Sequence, residues 1–119
     1  RAQARAIGER FRANGIATAA VFSSQWCRCI DTARELALGE VVAFPGLNSF
    51  FADRGEEARH TAAVRALIGE RARSPLPLVL VTHQVNITAL TGVFPASGEI
   101  IVLRVDGDTP SVAGRIRTD

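Results

Sequence analysis

The sequence predicts an α/β protein in which a mostly parallel sheet lies between two layers of helices and a β-hairpin follows at the carboxyl end. Short apolar runs alternate with amphipathic stretches through the first 90 residues, a pattern typical of strand–helix–strand units. Two later runs flank an Asp-Gly turn signal, which predicts the hairpin. With 119 residues, 47% of them hydrophobic, the chain suits a single domain over residues 1–119.

The first part of the chain is predicted to hold two helices and two strands. Ala4, Ile7 and Phe11 recur three and four residues apart, as on one face of an amphipathic helix. We place Gly39 at the end of the second helix, since glycine commonly ends helices. The predicted elements are a helix over Arg1–Asn14, a buried strand over Ile16–Phe22, a helix over Trp26–Ala37 and a strand over Val41–Phe44.

The second part is predicted to hold a long helix, a strand, a short helix and the hairpin. Val64, Leu67 and Ile68 form the inner face of the long helix. A continuous aliphatic run after it suits a strand buried on both faces. In order, we predict a loop over Leu47–Arg54, a helix over Glu56–Arg73, a strand over Leu78–Thr82, a helix over Gln84–Thr91, and strands over Glu99–Asp106 and Ser111–Arg117 around the turn Asp106-Gly107-Asp108.

Charge and cysteine content exclude several classes of function. The 14 basic residues are all arginines interleaved with 12 acidic ones, for a net charge of +2, so no stripe for nucleic acid is present. No apolar run approaches the ~20 residues that span a bilayer. Cys27 and Cys29 are too close for an ordinary disulfide, and His60 and His83 lie at unrelated spacings, so neither a zinc site nor a cofactor is expected.

Polar residues follow two of the predicted parallel strands, where ligands of such sheets bind. Ser24 ends one strand, and Arg28 follows about one helical turn later. His83 ends a second strand and begins the next helix. A guanidinium fork and an imidazole beside two helix N-termini are suited to a phosphate group. The sequence therefore predicts a phosphate site built on Arg28 and His83.

Spacing alone leaves simpler interpretations open. An arginine in the first turn of a surface helix, such as Arg28, is often solvated or paired with a carboxylate. A histidine at the end of a buried strand, such as His83, is structural about as often as functional. His60 is predicted to face solvent. Phe50 and Phe51 could both be exposed in an interaction domain, although adjacent phenylalanines more often pack on opposite sides of a loop.

These segments resemble the histidine phosphatases, also called the phosphoglycerate mutase-like superfamily. Ser24-Gln25-Trp26-Cys27-Arg28, followed by Thr32-Ala33, is similar to the family segment S-x-x-x-R-x-x-x-T-A. Leu80-Val81-Thr82-His83 is similar to the strand that carries the family's second histidine. The resemblance runs from the first helix to the hairpin, and the strings SSQWCRC, LNSFF and THQVNITALTG resemble a bacterial subgroup. It implies a three-layer phosphoglycerate mutase-like fold.

The resemblance also implies an activity, the hydrolysis of phosphate monoesters through a phosphohistidine. Arg28 would match the second phosphate-clamping arginine and His83 the second histidine. Ser24 and the backbone N–H of Gln84 would add phosphate contacts. The implied partner is a small phosphorylated substrate or a phosphohistidine-bearing protein. Because relatives of this subgroup often begin with an export leader, the resemblance favours the bacterial periplasm over the cytoplasm.

The sequence also departs from the family pattern. The nucleophile-bearing Arg-His-Gly segment is absent from the 119 residues, so we expect the family's first strand to be missing and the chain alone to be inactive. The vacant place in the sheet would be filled by another segment or chain. Leu47–Phe51 holds no carboxylate, so Asn48 could only orient substrate, and Asp53 or Glu56 are the candidates for a general acid. The alternative function is a non-catalytic phosphate- or phosphopeptide-binding module.

Overall fold

Four helices and two small sheets make up the part of the chain that the computed structural model describes, residues 2–106 and 109–118. Two short 3₁₀ turns, Pro45–Leu47 and Arg54–Glu56, join the second strand to the long helix. The elements are α1 (Ala2–Ala13), β1 (Ala20–Ser23), α2 (Cys27–Leu36), β2 (Val41–Ala43), α3 (Glu57–Arg71), β3 (Leu78–Val81), α4 (Gln84–Thr91), β4 (Ile100–Asp106) and β5 (Thr109–Ile116). The predicted mixed α/β class is confirmed.

The parallel sheet has three strands in the order β2-β1-β3. Val21 in β1 pairs with Val41 in β2 on one side and with Val79 in β3 on the other. Because all three strands run the same way, their carboxyl ends lie at one edge of the sheet. The residues that follow β1 and β3 are therefore brought side by side.

β1 is shorter than the sequence predicts. The predicted strand begins at Ile16, but the ladder begins where the N–H of Ala20 donates to the carbonyl of Pro77 at 2.8 Å. Pro75 and Pro77 have no N–H, so the partner strand cannot extend the ladder further toward its start. Residues 16–19 consequently lie outside the strand.

Helices cover both faces of this sheet. Val21 and Phe22 are neighbours in β1 and face opposite sides, as successive strand residues do. On one face α1 and α2 pack over a cluster of Ala4, Ala19, Val21, Ala33, Leu36 and Leu38. On the other face α3 packs over a cluster of Phe22, Leu47, Val64, Leu67 and Ile68, which confirms its predicted inner face.

Two predictions about the far side of the sheet are wrong. β3 was expected to be buried on both faces, but all four of its residues are half-buried. β4 and β5 form the predicted antiparallel hairpin as a separate two-stranded sheet rather than at the end of the parallel one. Among the described residues, no strand pairs with the outer edge of β3, which explains its exposure. Gly107 and Asp108 of the predicted turn lie outside the described residues.

Polar contacts join the two ends of the hairpin and attach them to α1. Glu99 accepts hydrogen bonds from Arg115 at 2.6 and 2.9 Å, and these bonds lower the pKa of Glu99 to about 2. Gln3 in α1 donates to the hydroxyl of Thr118 at 2.7 Å. That hydroxyl donates in turn to the carbonyl of Gly98 at 2.5 Å. The last described residues are thereby held against α1.

The crossing of α1 and α2 depends on glycine. A Cβ atom at Gly8 would overlap the backbone oxygen of Leu36 and lie 2.8 Å from its carbonyl carbon. α2 itself ends differently from the prediction, because Ala37 and not Gly39 takes the left-handed conformation, with φ 54°. Gly39 instead allows close approach to Ala19, whose oxygen would lie 2.6 Å from an added Cβ.

Gly8→Ala is expected to lower the free energy of unfolding by about 1–3 kcal/mol, because the two helices must move apart to admit the methyl group. Gly114→Ala is the matched control, since an added Cβ there meets nothing within 4 Å. Urea denaturation measures both variants. Equal stability of the two variants would show that the helices do not cross at Gly8.

The open edge of β3 predicts a specific pattern of amide exchange. The carbonyls of Pro77 and Val81 accept from β1, so the backbone groups of Leu80 between them point to the outer edge. We expect the Leu80 amide to exchange with solvent faster than those of Val79 and Val81 in dilute protein. We also expect self-association at higher concentration to protect it, because an open edge recruits another strand. Hydrogen exchange read by NMR, with sedimentation at the same concentrations, tests this; a Leu80 amide already protected in a monomer would contradict it.

Candidate functional site

The ends of β1 and β3 bring Ser24 and His83 into contact. Ser24 follows β1, is fully buried, and donates its backbone N–H to Val81 at 2.9 Å. His83 follows β3 and precedes the first turn of α4. Its Nε2 lies 2.8 Å from the Ser24 hydroxyl oxygen. The structure therefore joins the two strand ends that the sequence singled out.

Arg28 lies in the first turn of α2 and its charge acts on His83. Burial is the main cause that lowers the pKa of His83 below 6.5, and the nearby Arg28 charge lowers it further. The Arg28 side chain is exposed, and within the described part of the chain its guanidinium has no hydrogen bond or ion pair. A cation facing solvent beside a neutral imidazole can accept an anion without first breaking an internal bond.

Trp26 packs against the same histidine. Its backbone N–H donates to the Ser24 hydroxyl at 3.2 Å, in the residue that caps α2. The indole and imidazole rings are 4.4 Å apart at 65°, an edge-to-face contact. The Trp26 side chain nevertheless remains 51% exposed. An aromatic ring thus stands beside the imidazole and open to solvent.

Asn48 fixes the segment between the strand end and α2. Its Oδ1 accepts the backbone N–H of Gln25 at 2.7 Å and lies 3.2 Å from the Ser24 hydroxyl oxygen. Its Nδ2 donates to the Gln25 side chain at 2.9 Å. The sequence suggested a substrate-orienting role for Asn48. The structure places its amide on protein groups, so Asn48 positions the residues of the site.

The backbone carbonyl of Asn48 holds two further elements. It accepts Nδ2 of Asn86 from α4 at 2.8 Å and Nδ1 of His60 from α3 at 2.9 Å. His60 is half-buried and packs edge-on against Phe50, so the prediction that it faces solvent is wrong. The carbonyl can only accept, so Nδ1 of His60 carries a proton. Next to Asn48, the carbonyl of Leu47 accepts the Thr82 hydroxyl at 2.6 Å.

Cys29 is a buried thiol behind the site. Its sulfur is 3.7 Å from Nε2 of His83 and 4.0 Å from the carbonyl oxygen of Thr82. Burial is the main cause that raises the pKa of this thiol, so it stays protonated at neutral pH. Cys27 is exposed and both cysteines are free. In residues 2–106 and 109–118, no group of three or more His, Cys, Asp or Glu side chains could hold a metal ion.

The two candidate general acids are engaged elsewhere. Asp53 accepts the backbone N–H of Gly55 at 3.1 Å within its own turn. Glu56 pairs with Arg59 at 2.7 Å. The structure does not bring either carboxylate into contact with His83.

Gln84 contributes to the site through its backbone. Its side-chain Nε2 donates to the carbonyl of Pro95 at 2.9 Å, away from the imidazole. Its backbone N–H belongs to the first turn of α4, where helical N–H groups have no acceptor within the helix. This group is available to an anion, as are the corresponding N–H groups at the start of α2.

Three residues around His83 and Asn48 were not predicted from the sequence to belong to the site. Trp26 and Cys29 contact His83, and Asn86 holds Asn48. Trp26 carried a usable signal, because a large aromatic residue two positions after a polar strand end is seldom needed for the core. Cys29 and Asn86 resemble ordinary helix residues in sequence. Phe50 is buried and Phe51 is 69% exposed, which is the opposite-sided packing that adjacent phenylalanines favour.

Comparisons with known proteins do not assign the chain to a family. No family model matches the sequence, and no curated protein matches it significantly. None of the described helices is long and apolar enough to cross a membrane. The family resemblance therefore stays a prediction that rests on the residues themselves.

The fluorescence of Trp26, the single tryptophan in a chain without tyrosine, should report the protonation of His83. A protonated imidazole quenches an adjacent indole, so emission should fall as pH drops through a midpoint below 6.5. Arg28→Gln should raise this midpoint, because it removes the like charge, yet leave it below 6.5, because burial is the larger cause. Arg34→Gln, in the last turn of the same helix, is the charge-matched control and should not shift it. A midpoint that Arg28→Gln leaves unmoved would separate Arg28 from the site.

Proposed function

We propose that this chain binds phosphate monoesters and forms the phosphate-binding part of a histidine phosphatase. The observation that carries the proposal is an exposed Arg28 that has no hydrogen bond or ion pair to any described residue and whose charge lowers the pKa of His83 at the shared ends of two parallel strands. The same edge holds the N-termini of α2 and α4. An arginine fork, an imidazole and free backbone N–H groups together supply the donors that a phosphate dianion needs.

The electrostatics of the site favour a dianion. Arg28 is cationic, the Cys29 thiol is neutral, and the two carboxylates considered as general acids, Asp53 and Glu56, have partners of their own. His83 is neutral in the free protein, and a bound phosphate would draw a proton onto it. Fixed donors of this kind also stabilise the charge that spreads over the equatorial oxygens during phosphoryl transfer.

The proposed reaction needs a second histidine as nucleophile. An imidazole nitrogen would attack phosphorus as the ester P–O bond breaks, and the leaving oxygen would depart as an anion and then take a proton from water. Water would then attack the phosphohistidine, releasing phosphate and restoring the imidazole. His83 is assigned to the phosphoryl oxygens rather than to the attack, because the resemblance implies that it is the second histidine. The substrate is a small phosphorylated molecule or a phosphohistidine-bearing protein.

The open edge of β3 is the proposed place for the strand that carries this nucleophile. We place that strand between β3 and the hairpin, because no described strand pairs with the outer edge of β3. Leu80 of β3 and Leu103 of β4 both pack around the same core cluster although the two strands are unpaired. A strand supplied by another segment or chain would satisfy both edges and complete one continuous sheet.

A non-catalytic phosphate- or phosphopeptide-binding module is the second candidate. The lack of an Arg-His-Gly segment in the 119 residues favours it, since that segment would supply the nucleophile. The two candidates share the phosphate site and differ in whether a nucleophile is ever supplied.

Calorimetric titration with inorganic phosphate tests the shared site. Arg28→Gln should weaken binding about 10- to 100-fold, as expected for the loss of a charge-assisted contact of about 1.5–3 kcal/mol. His83→Gln should weaken it less, because an amide still donates one hydrogen bond. Arg34→Gln should leave affinity unchanged. Phosphate binding that is absent, or that Arg28→Gln does not weaken, would overturn the proposal.

A turnover assay then separates the two candidates. With p-nitrophenyl phosphate, the 119-residue chain should show no hydrolysis, whereas a version extended by an Arg-His-Gly strand should hydrolyse it in a manner that depends on Arg28 and His83. Binding without turnover in the extended protein would favour the module.

A further inference from the structure

Trp26 combines exposure with a fixed position at the candidate phosphate site. Its backbone is held by the Ser24 hydroxyl and its indole packs edge-on against His83 at 4.4 Å. Half of the side chain, 51%, still faces solvent. The exposed part of the ring is therefore available to contact a group attached to a phosphate that His83 and Arg28 bind.

The surroundings of His83 favour a particular leaving group. Within the described residues, the two carboxylates considered as general acids, Asp53 and Glu56, are engaged elsewhere. With His83 assigned to the phosphoryl oxygens, no residue is assigned to protonate the departing oxygen, which must then be stable as an anion. A phenol, with a pKa of ~10 as in tyrosine, meets this condition far better than an alcohol, whose pKa is closer to the ~16 of water.

The two observations converge on one chemical class. We propose that Trp26 forms an aryl subsite and that this site selects phosphate monoesters of phenols over those of alcohols. The inference rests on the proposed phosphate binding. In such an ester a single oxygen joins the ring to the phosphoryl group, so a phosphate held by Arg28 and His83 brings the ring within stacking distance of an indole that contacts the same histidine.

The inference predicts a preference that depends on the indole. For the 119-residue chain, calorimetry should show phenyl phosphate binding about 5- to 10-fold more tightly than methyl phosphate, the gain expected of one aromatic stacking contact. Trp26→Ala should abolish the difference while changing the affinity for inorganic phosphate less than about twofold. Trp26→Phe should retain most of it, because a smaller ring still stacks.

Phe51→Ala supplies the matched control. Phe51 is also an exposed aromatic residue, but its ring lies 5.5 Å from the Arg54 guanidinium carbon. The variant removes a similar apolar surface and should leave the preference for phenyl phosphate intact. Loss of the preference in Phe51→Ala to the same extent as in Trp26→Ala would overturn the assignment to Trp26.

The outcomes separate this inference from the proposed function. If inorganic phosphate binds through Arg28 but phenyl and methyl phosphate bind equally, the aryl subsite is refuted and the phosphate site stands. If none of the three ligands binds, the proposed function itself fails and the aryl subsite fails with it. Equal weakening of all three ligands by Trp26→Ala would make Trp26 a positioning residue for His83 and would also refute the subsite.

A phosphotyrosine peptide, compared with phenyl phosphate, identifies the source of the aryl group. Tighter binding of the peptide would indicate a protein substrate, and equal affinity would indicate a small molecule. Both results support the subsite when Trp26→Ala removes the preference over the corresponding alkyl phosphate. A phosphoserine peptide that binds as tightly as the phosphotyrosine peptide would overturn it.

Discussion

The hydrogen bonds of Asn48 align the elements on which the site depends. Its side chain holds Gln25 and Ser24 at the start of α2, and its carbonyl holds residues of α3 and α4. The strands of the parallel sheet contain only three or four residues each, so their ladders alone do little to fix the directions of the helices that follow. Asn48 fixes these directions, because its side-chain amide and its backbone carbonyl both form hydrogen bonds to the neighbouring elements. The loop before α3 therefore helps to set the distance between Ser24 and His83.

The same arrangement sets the charge state of the site before any ligand arrives. Burial and Arg28 both favour a neutral imidazole, and burial keeps the neighbouring thiol protonated. The charged group of the site is therefore the exposed Arg28 guanidinium, and Ser24 and His83 beneath it are held by hydrogen bonds. If a dianion binds as proposed, a site organised in this way needs little reorganisation, because the groups beneath the guanidinium are already held by hydrogen bonds.

Patterns within single helices and strands predicted much of the structure. The predictions that were wrong depend on contacts between residues far apart in the sequence. The apolar period of α3 predicted its inner face, and Gly92 predicted the end of α4. The rule that parallel strands share a carboxyl edge predicted that the ends of β1 and β3 lie side by side, where the structure shows the contact of Ser24 with His83. The late start of β1 depends on Pro77, a residue of another strand. The half-burial of β3 depends on an edge that no described strand covers. The Asn48 contacts of His60 and Asn86 join residues 12 and 38 positions apart, and no period within a single element reveals them.

The bond between Gln3 and Thr118 has a consequence for engineering. Because the first and last described turns lie side by side, a short linker could join them and convert the chain into a closed ring. Cutting that ring in the exposed connection at residues 72–77 would give a circular permutant in which β3 becomes the leading element. Peptides fused ahead of β3 would then begin beside its unpaired edge. Libraries of candidate strands could therefore be screened within the same chain for pairing with that edge, with the rest of the protein unchanged.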